Sequence, residues 1–175
     1  MTQSNLKTQN SPPPIRLFVT GGTLDKQYQE TTGELMFPNT HLPILLQEAN
    51  VSLSIETTVL MQKDSLEITE DERAIICQAC MDTPQQKIVI THGTDTMVNT
   101  ATALSQHPEL NNKTIILTGA MRPFMLGHSD ASFNLGAALM AVQLAKPGIY
   151  IAMNGQLFQA NQVQKNRLLG LFTAL

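Results

Sequence analysis

The stretch Ile15-Arg16-Leu17-Phe18-Val19-Thr20-Gly21-Gly22-Thr23 joins a short apolar run to a glycine turn that presents a threonine. A similar succession recurs at Ile88-Val89-Ile90-Thr91-His92-Gly93-Thr94 and at Ile115-Ile116-Leu117-Thr118-Gly119-Ala120. Short apolar runs bounded by turn residues are typical of buried strands. In an open parallel sheet, ligands bind beyond the carboxyl ends of the strands, where glycine lets the backbone approach the ligand. The three turns therefore predict one shared site at one edge of a sheet.

The rest of the chain alternates predicted strands with predicted helices. Strands are predicted at 15–20, 87–91, 114–118 and 149–153, and helices at 39–49, 69–81, 96–104 and 129–144. Strands separated by helices form βαβ units, which require a mostly parallel sheet covered on both faces. We therefore predict the α/β class, as a three-layer αβα sandwich around a mostly parallel, Rossmann- or flavodoxin-like sheet.

Three further segments complete this prediction. Residues 51–60 alternate apolar and polar side chains, as an exposed or edge strand does. Asn154-Gly155 is a dipeptide typical of hairpin turns, so residues 156–160 are predicted to return as a short antiparallel strand. The polar segment 23–33 predicts a mobile loop over the end of the first strand.

Composition and charge limit the organisation and the partners of the protein. A chain of 175 residues fits a single domain. Its segment 1–14 is polar, without the apolar stretch of a signal peptide or membrane span. We predict a disordered leader at 1–14 and one domain at 15–175. A net charge of -3 with 11 lysines and arginines argues against nucleic acid or an anionic membrane as the main partner, because both require clustered basic residues. A small-molecule ligand fits better.

Cys77 and Cys80 form a C-x-x-C pattern, which occurs in redox pairs and in zinc sites. Zinc requires two further ligands at suitable spacing, and the sequence offers none. The pair lies within a helix predicted from a capping box of Thr69 and Glu72. Residue types there predict buried positions at Ala74, Ile75, Cys77, Ala79 and Cys80. We interpret the pair as reduced core cysteines of a cytoplasmic protein, and we predict neither a metal nor an organic cofactor.

Thr23 follows two glycines, so its hydroxyl can be presented at the strand end without a bulky residue before it. A threonine hydroxyl is a weak nucleophile unless a base or a local field helps to remove its proton. Tyr28 lies in the same polar segment and is a candidate proton acceptor or positioning residue. The alternatives are a capping or loop threonine and a tyrosine that anchors the loop by packing.

Thr94 and Asp95 follow the second glycine turn. Capping of the next helix explains Asp95, but it does not explain a second Gly-Thr pair at an equivalent strand end. Lys165, taken alone, is typical of a solvated lysine. A histidine within a strand-end turn is more often a hydrogen-bonded structural residue than a base, so His92 is left out of the predicted site.

Together these motifs resemble the N-terminal domain of the bacterial-type L-asparaginases, which are threonine-dependent amidohydrolases. The resemblance covers most of the chain and rests on several separated motifs in the expected order. It implies that Thr23 is the nucleophile and that Tyr28 is the loop tyrosine of the family. It also implies a second catalytic group formed by Thr94, Asp95 and Lys165.

The resemblance further implies where substrate binds. The family uses an Asp-Ser segment after its second strand, which corresponds to Asp64-Ser65 in this chain. Backbone of the three glycine turns is expected to contribute at Gly22, Gly93 and Ala120.

The chain departs from the family pattern at two places. Gln62 stands where many relatives carry a serine shortly before the Asp-Ser segment. The chain also stops at Leu175, where the longer enzymes pass into a second domain that completes the neighbouring subunit's site. It therefore looks like a short-chain form in which 15–175 is an asparaginase N-terminal-type catalytic domain.

The implied activity is hydrolysis of L-asparagine to L-aspartate and ammonia by double displacement, in which Thr23 forms an ester that water then hydrolyses. The alternative is a noncatalytic amino-acid-binding module derived from the same fold. Nucleotide binding is less favoured, because the chain has neither a G-x-G-x-x-G motif nor a P-loop lysine motif. We expect a homodimer or a higher homo-oligomer, since homodimers are the commonest soluble assembly.

Overall fold

The computed structural model describes residues 13–175, so the leader predicted at 1–14 lies outside the described residues except for Pro13 and Pro14. Four helices are present in this part of the chain: α1 (Leu42–Glu48), α2 (Glu70–Asp82), α3 (Met97–Ser105) and α4 (Ala131–Leu144). None of these four is both long and apolar enough to span a membrane. The strands are β1 (Ile15–Gly21), β2 (Gln27–Gln29), β3 (Glu34–Met36), β4 (Ile55–Lys63), β5 (Lys87–Thr91), β6 (Thr114–Thr118), β7 (Gly148–Met153), β8 (Gln156–Gln159), β9 (Val163–Asn166) and β10 (Leu171–Ala174).

A six-stranded sheet in the order β4-β1-β5-β6-β7-β8 forms the centre of the molecule. All neighbouring strands pair in parallel except β7 and β8, which are antiparallel. Strands β5 and β6 have the bounds that the sequence predicted. The segment predicted as an edge strand does lie at the edge of the sheet, with its paired part shifted to Ile55–Lys63. The mostly parallel sheet is confirmed.

The two faces of the sheet pack under different helices. On one face, Ile88 and Ile90 of β5 join a buried cluster with residues of α2 and α3. Val89, which lies between these two residues in sequence, belongs to a second buried cluster on the other face, together with residues of α1 and α4. This alternation is the period of a strand that is buried on both faces. The result is the predicted three-layer αβα sandwich.

The segment 23–33, predicted as a mobile loop, instead contains a 3-10 turn and one strand of the β2–β3 hairpin. Both strands of that hairpin are exposed, which explains why their composition resembles that of a loop. The buried Asp25 anchors the turn, because its Oδ1 accepts the Thr40 hydroxyl at 3.0 Å and the His41 amide at 2.9 Å. These bonds hold both residues outside α1, which begins at Leu42 rather than at the predicted 39.

Helix α2 confirms two predictions. Thr69 and Glu72 form the capping box, each accepting from the other's backbone amide. Cys77 and Cys80 are free and buried. Burial raises the pKa of the Cys80 thiol to about 12, so this cysteine stays protonated at neutral pH, as an inert core residue does.

Part of the buried face predicted on α2 is wrong. Ala74 and Ile75 are exposed and Ala79 is half-buried, whereas Arg73 and Ile76 are buried. Arg73, Ile76 and the two cysteines recur at helical spacing and therefore share one face. Residue type misled the prediction, because Arg73 is buried through its hydrogen bonds and not through apolar character.

Two hairpins end the described chain. The turn at Asn154-Gly155 has φ angles of 55° and 74°, as a type I′ turn requires, and β8 pairs antiparallel with β7 as predicted. The second hairpin, formed by β9 and β10, was not predicted. Only Val163 on β9 and Phe172 on β10 are buried, so the alternation that reveals a strand is too short to recognise.

Candidate active site

The carboxyl ends of β1 and β5 meet in a backbone contact that only glycine allows. Gly22 has a φ of 84°, and a Cβ atom there would overlap the amide nitrogen of Gly93. A Cβ atom on Gly93 would in turn lie 2.6 Å from the Cβ atom of Ser65. Thr23 and Thr94 each follow one of these glycines. The structure therefore brings the first two glycine turns and the Asp-Ser segment together.

A hydrogen-bonded cluster lies directly after the second glycine turn. Lys165 on β9 donates from Nζ to Thr94 Oγ1 at 2.7 Å and to Asp95 Oδ1 at 2.9 Å. The Lys165 side chain is only 10% exposed. Arg167 approaches the same oxygen of Asp95 at 3.8 Å, but its side chain is 67% exposed. The structure thus brings together three of the five residues predicted as catalytic.

The geometry of this cluster decides where the Thr94 proton can go. Lys165 as an ammonium group can only donate hydrogen bonds, so the Thr94 hydroxyl oxygen must be the acceptor. The hydroxyl hydrogen of Thr94 has no acceptor among the residues that the structure describes. It is therefore available to a water molecule or a ligand.

Two asparagines tie the hairpin that carries Lys165 to the sheet. Phe172 pairs with Lys165 across the hairpin, and its amide donates to Asn154 Oδ1 at 2.9 Å. The Asn154 amide donates to Asn134 Oδ1 at 3.3 Å. Asn134 Nδ2 donates to the carbonyl of Gly119 at 3.0 Å. This series of bonds links the third glycine turn to Lys165, and sequence reasoning assigned neither asparagine to the site.

Thr23 and Tyr28 are not hydrogen-bonded to each other in the part of the chain that the structure describes. Thr23 begins the 3-10 turn Thr23–Asp25 and is half-buried. Tyr28 is 49% exposed on β2, opposite Leu35. Within residues 13–175, the Tyr28 hydroxyl makes no hydrogen bond with Thr23. The intervening turn carries Tyr28 onto an exposed hairpin, and a Cβ atom at Gly33 of that hairpin would lie 3.9 Å from the Tyr28 hydroxyl.

Asp64 is already paired within the chain. Its Oδ1 accepts the Leu66 amide at 3.1 Å, and its Oδ2 accepts Lys26 Nζ at 2.5 Å. Burial acts to raise the pKa of Asp64, but the bonds from Lys26 and Leu66 and the charges of Lys26 and Lys165 outweigh it and lower the pKa. The carboxylate is therefore ionised at neutral pH.

Ser65 and Ala120, two further predicted binding residues, are both buried. Ser65 is 2% exposed, and its carbonyl accepts the Thr96 hydroxyl at 2.7 Å. Ala120 is fully buried and packs in the core cluster beneath α4, so its side chain is unavailable to a ligand.

A buried polar network, not found from the sequence, supports the second glycine turn. Arg73 donates to Thr100 Oγ1 at 3.1 Å and to the Ile68 carbonyl at 3.0 Å. Thr100 bonds His92 Nε2 at 2.8 Å, and His92 Nδ1 bonds the Gly93 carbonyl at 2.7 Å. A carbonyl only accepts, so Nδ1 carries the hydrogen and Nε2 accepts from Thr100. Burial lowers the pKa of His92 to about 4, so the ring is neutral and structural, in agreement with its exclusion from the predicted site.

The arrangement offers several groups that acyl transfer can use. Thr23 offers a hydroxyl on a glycine turn, and Thr94 offers a second hydroxyl beside an ammonium group. The buried amides of Gly93 and Thr94 donate to no carbonyl of the described chain, so they can stabilise an oxyanion. Among residues 13–175, no three His, Cys, Asp or Glu side chains are grouped to hold a metal ion.

Comparison with known proteins agrees with the resemblance that the sequence motifs indicated. The family model described as "Asparaginase, N-terminal" matches residues 14–171. The L-asparaginase of Thermococcus kodakarensis is 36% identical over 122 residues, which are 67% of this chain and 36% of that protein. One subunit of the glutamyl-tRNA(Gln) amidotransferase of Methanococcus vannielii is 33% identical over 163 residues, which are 87% of this chain and 37% of that protein.

A solved structure is similar to this chain in fold as well as in sequence. The thermostable L-asparaginase of Thermococcus kodakarensis superposes with a TM-score of 0.81 at 31% identity, covering 93% of this chain and 51% of that one. The chain therefore spans about half the length of this solved relative, and 36% and 37% of the two sequence relatives.

Proposed function

Because the chain belongs to the asparaginase family, a family of amidohydrolases, we propose that it hydrolyses L-asparagine to L-aspartate and ammonia. The observation that carries the proposal is the half-buried Lys165 ammonium group, which bonds Thr94 and Asp95 beside the contact of the two glycine turns. Lys165 on β9 thus reaches two polar side chains at the end of a different strand, where Thr94 directly follows the second glycine turn.

The proposed reaction is a double displacement through Thr23. The Thr23 oxygen attacks the side-chain amide carbon, the carbon–nitrogen bond breaks, and the hydroxyl proton leaves with ammonia. Water then attacks the resulting aspartyl ester, which releases aspartate and returns a proton to Thr23. The unpaired amides of Gly93 and Thr94 are suited to stabilise the tetrahedral intermediates.

Thr94 is proposed to act through its free hydroxyl hydrogen. With Lys165 bonded to its oxygen, Thr94 can orient the attacking water or donate to the tetrahedral intermediate, and Asp95 holds Lys165 in place. Tyr28 remains the proposed proton acceptor for Thr23. This role requires the β2–β3 hairpin to close over bound substrate, because the two residues are not bonded in the structure.

The amidohydrolase proposal is tested by ammonia release from L-asparagine. Wild-type protein should release ammonia, and Thr23→Ala should abolish turnover while the protein stays folded, since the only atom proposed to bond to substrate is removed. Mass spectrometry after trapping should find an acyl adduct on the tryptic peptide that contains Thr23. An adduct on Thr94, or undiminished turnover by Thr23→Ala, would assign the nucleophile elsewhere.

The second candidate is a noncatalytic module that binds an amino acid. It is favoured because Tyr28 makes no hydrogen bond with Thr23 within residues 13–175, and a threonine without a proton acceptor is a poor nucleophile. Saturable calorimetric binding of L-asparagine without ammonia release would establish this alternative. For either activity we infer a cytoplasmic location, which suits the reduced cysteines, and a homodimeric or larger assembly.

A further inference from the structure

One wall of the candidate active site carries an ion pair at Asp64, the residue to which the family resemblance assigns substrate binding. Lys26 Nζ contacts Asp64 Oδ2 at 2.5 Å, and the side chains are 19% and 31% exposed. The other carboxylate oxygen accepts the Leu66 amide. Both oxygens of Asp64 are therefore engaged before any substrate arrives.

This pairing changes the charge that the site presents. A free asparagine would bring its α-ammonium group to a carboxylate that already neutralises Lys26. Lys26 and that α-ammonium group would then both lie beside Asp64, and their like charges repel each other. A substrate whose α-nitrogen is uncharged avoids that repulsion.

An open cavity of about 610 Å³ adjoins the ion pair. Its apolar lining comes from the β2–β3 hairpin and its extension and from the 3-10 turn after Asp64, and consists of Leu35, Met36, Phe37 and Leu66. Leu66 is 63% exposed and Met36 is 47% exposed. Lys26, Asp64 and Glu67 supply the polar part of the lining.

Lys26 belongs both to the ion pair and to the lining of the cavity. Its Nζ lies 5.7 Å from the centroid of the Phe37 ring, within the range of a cation–π contact. The same nitrogen bonds Asp64, and the Lys26 amide donates to the carbonyl of Thr23. Lys26 therefore lines the cavity and directly follows the 3-10 turn that presents the candidate nucleophile.

We propose that the site takes asparagine whose α-nitrogen carries an acyl group, with the acyl chain lying in the cavity formed by Leu35, Met36, Phe37 and Leu66. Acylation removes the charge that Lys26 would repel, and the chain covers exposed apolar side chains. The bond that is hydrolysed remains the side-chain amide, so this inference rests on the proposed function. Free asparagine is then the poorer substrate.

Four compounds separate charge from apolar contact in the wild-type protein. L-Asparagine carries the ammonium group, succinamate lacks it, N-acetyl-L-asparagine masks it, and N-hexanoyl-L-asparagine adds an apolar chain. We expect kcat/KM to rise about tenfold from L-asparagine to the acetyl compound. From acetyl to hexanoyl it should rise by about two- to fourfold for each methylene. Succinamate should match or exceed L-asparagine. Values for both acyl compounds at or below that of L-asparagine would overturn the inference.

Two variants test the ion pair and the apolar cavity separately. Lys26→Met keeps the stem against Phe37 but frees Asp64, and should raise kcat/KM for L-asparagine about tenfold. Leu66→Ser should lower the hexanoyl-to-acetyl ratio about fivefold. Leu144→Ser, at a 77% exposed position on α4 outside the cavity, is the matched control and should leave that ratio unchanged. A Leu66→Ser ratio equal to that of the control would exclude the cavity as the acyl site.

Binding to Thr23→Ala distinguishes a failure of this inference from a failure of the proposed function. Calorimetry with L-asparagine and N-hexanoyl-L-asparagine measures the preference without turnover. If wild-type protein releases ammonia from none of the compounds, the proposed hydrolysis fails, and the binding preference still decides the inference. Tighter binding of the hexanoyl compound supports the acyl site, and equal or weaker binding refutes it.

Discussion

Replacing Lys165 by methionine removes the ammonium group that joins Thr94 to Asp95 while it keeps the length of the side chain. Two charge-assisted hydrogen bonds are lost, at 2.7 Å and 2.9 Å. Bonds to charged groups contribute about 1.5 to 3 kcal/mol each. If their combined contribution to the transition state is about 3 to 4 kcal/mol, kcat/KM for amide hydrolysis should fall between about 10² and 10³-fold.

The matched control is Arg167→Met. Arg167 approaches the same Asp95 oxygen, but at 3.8 Å and with a side chain that is 67% exposed. Exposed pairs of this kind contribute about 0 to 1 kcal/mol, so activity should change less than about fivefold. This comparison separates loss of the specific bonds from a general loss of positive charge near Asp95.

Steady-state ammonia release gives the activities, and thermal unfolding checks the fold. Asp95 is 34% exposed in its side chain and can be hydrated after the substitution, so Lys165→Met should lower Tm by only about 4 °C. Thr94→Val combined with Lys165→Met should be little worse than Lys165→Met alone, because the two residues act as a unit. Activity of Lys165→Met within threefold of wild type, or an equal loss in Arg167→Met, would refute this account of the cluster.

The other predictions concern pH and substrate length. The pKa of His92 is lowered to about 4 from its ordinary 6.5, so the unfolded chain takes up a proton first as pH falls. The free energy of unfolding of wild-type protein, relative to that of His92→Asn, should therefore decrease by about 3 kcal/mol between pH 7 and pH 4. Urea unfolding measures both free energies, and a difference that stays constant with pH would contradict a neutral buried ring. Asparagine side-chain amides should be hydrolysed about a hundredfold faster than the corresponding glutamine amides, because one methylene displaces the reacting carbon by about 1 Å. Equal kcat/KM values for N-acetyl-L-asparagine and N-acetyl-L-glutamine would show that the site does not fix this distance.

The parts of the fold that were predictable are those in which local pattern and tertiary environment agree. β5 and β6 are apolar runs bounded by turn residues, and both are buried in the centre of the sheet. The capping box of α2 is a local motif with local bonds. The start of α1 was misplaced because Asp25, distant in sequence, captures Thr40 and His41.

The parts of the site that lie in a local sequence motif could be predicted. The parts that depend on a single contact between residues distant in sequence could not. The glycine turns at Gly22 and Gly93 indicated a meeting of strand ends, which the structure shows. Lys165 could be assigned only by resemblance, since nothing on β9 indicates that it reaches Thr94. The pairing of Lys26 with Asp64 gave no local pattern, because the partners lie 38 positions apart.

The position of β1 between β4 and β5 has a consequence for synthesis on the ribosome. Both neighbours of the first strand come later in the chain, so β1 has no sheet partner when it emerges. It can pair along one edge only after residues 55–63 appear, and along the other edge only after residues 87–91 appear. During that interval an apolar segment with two unpaired edges is open to pairing with other nascent chains. The hairpin that supplies Lys165 emerges later still, so a stalled chain can complete its six-stranded sheet and still lack the bonds of Lys165 to Thr94 and Asp95.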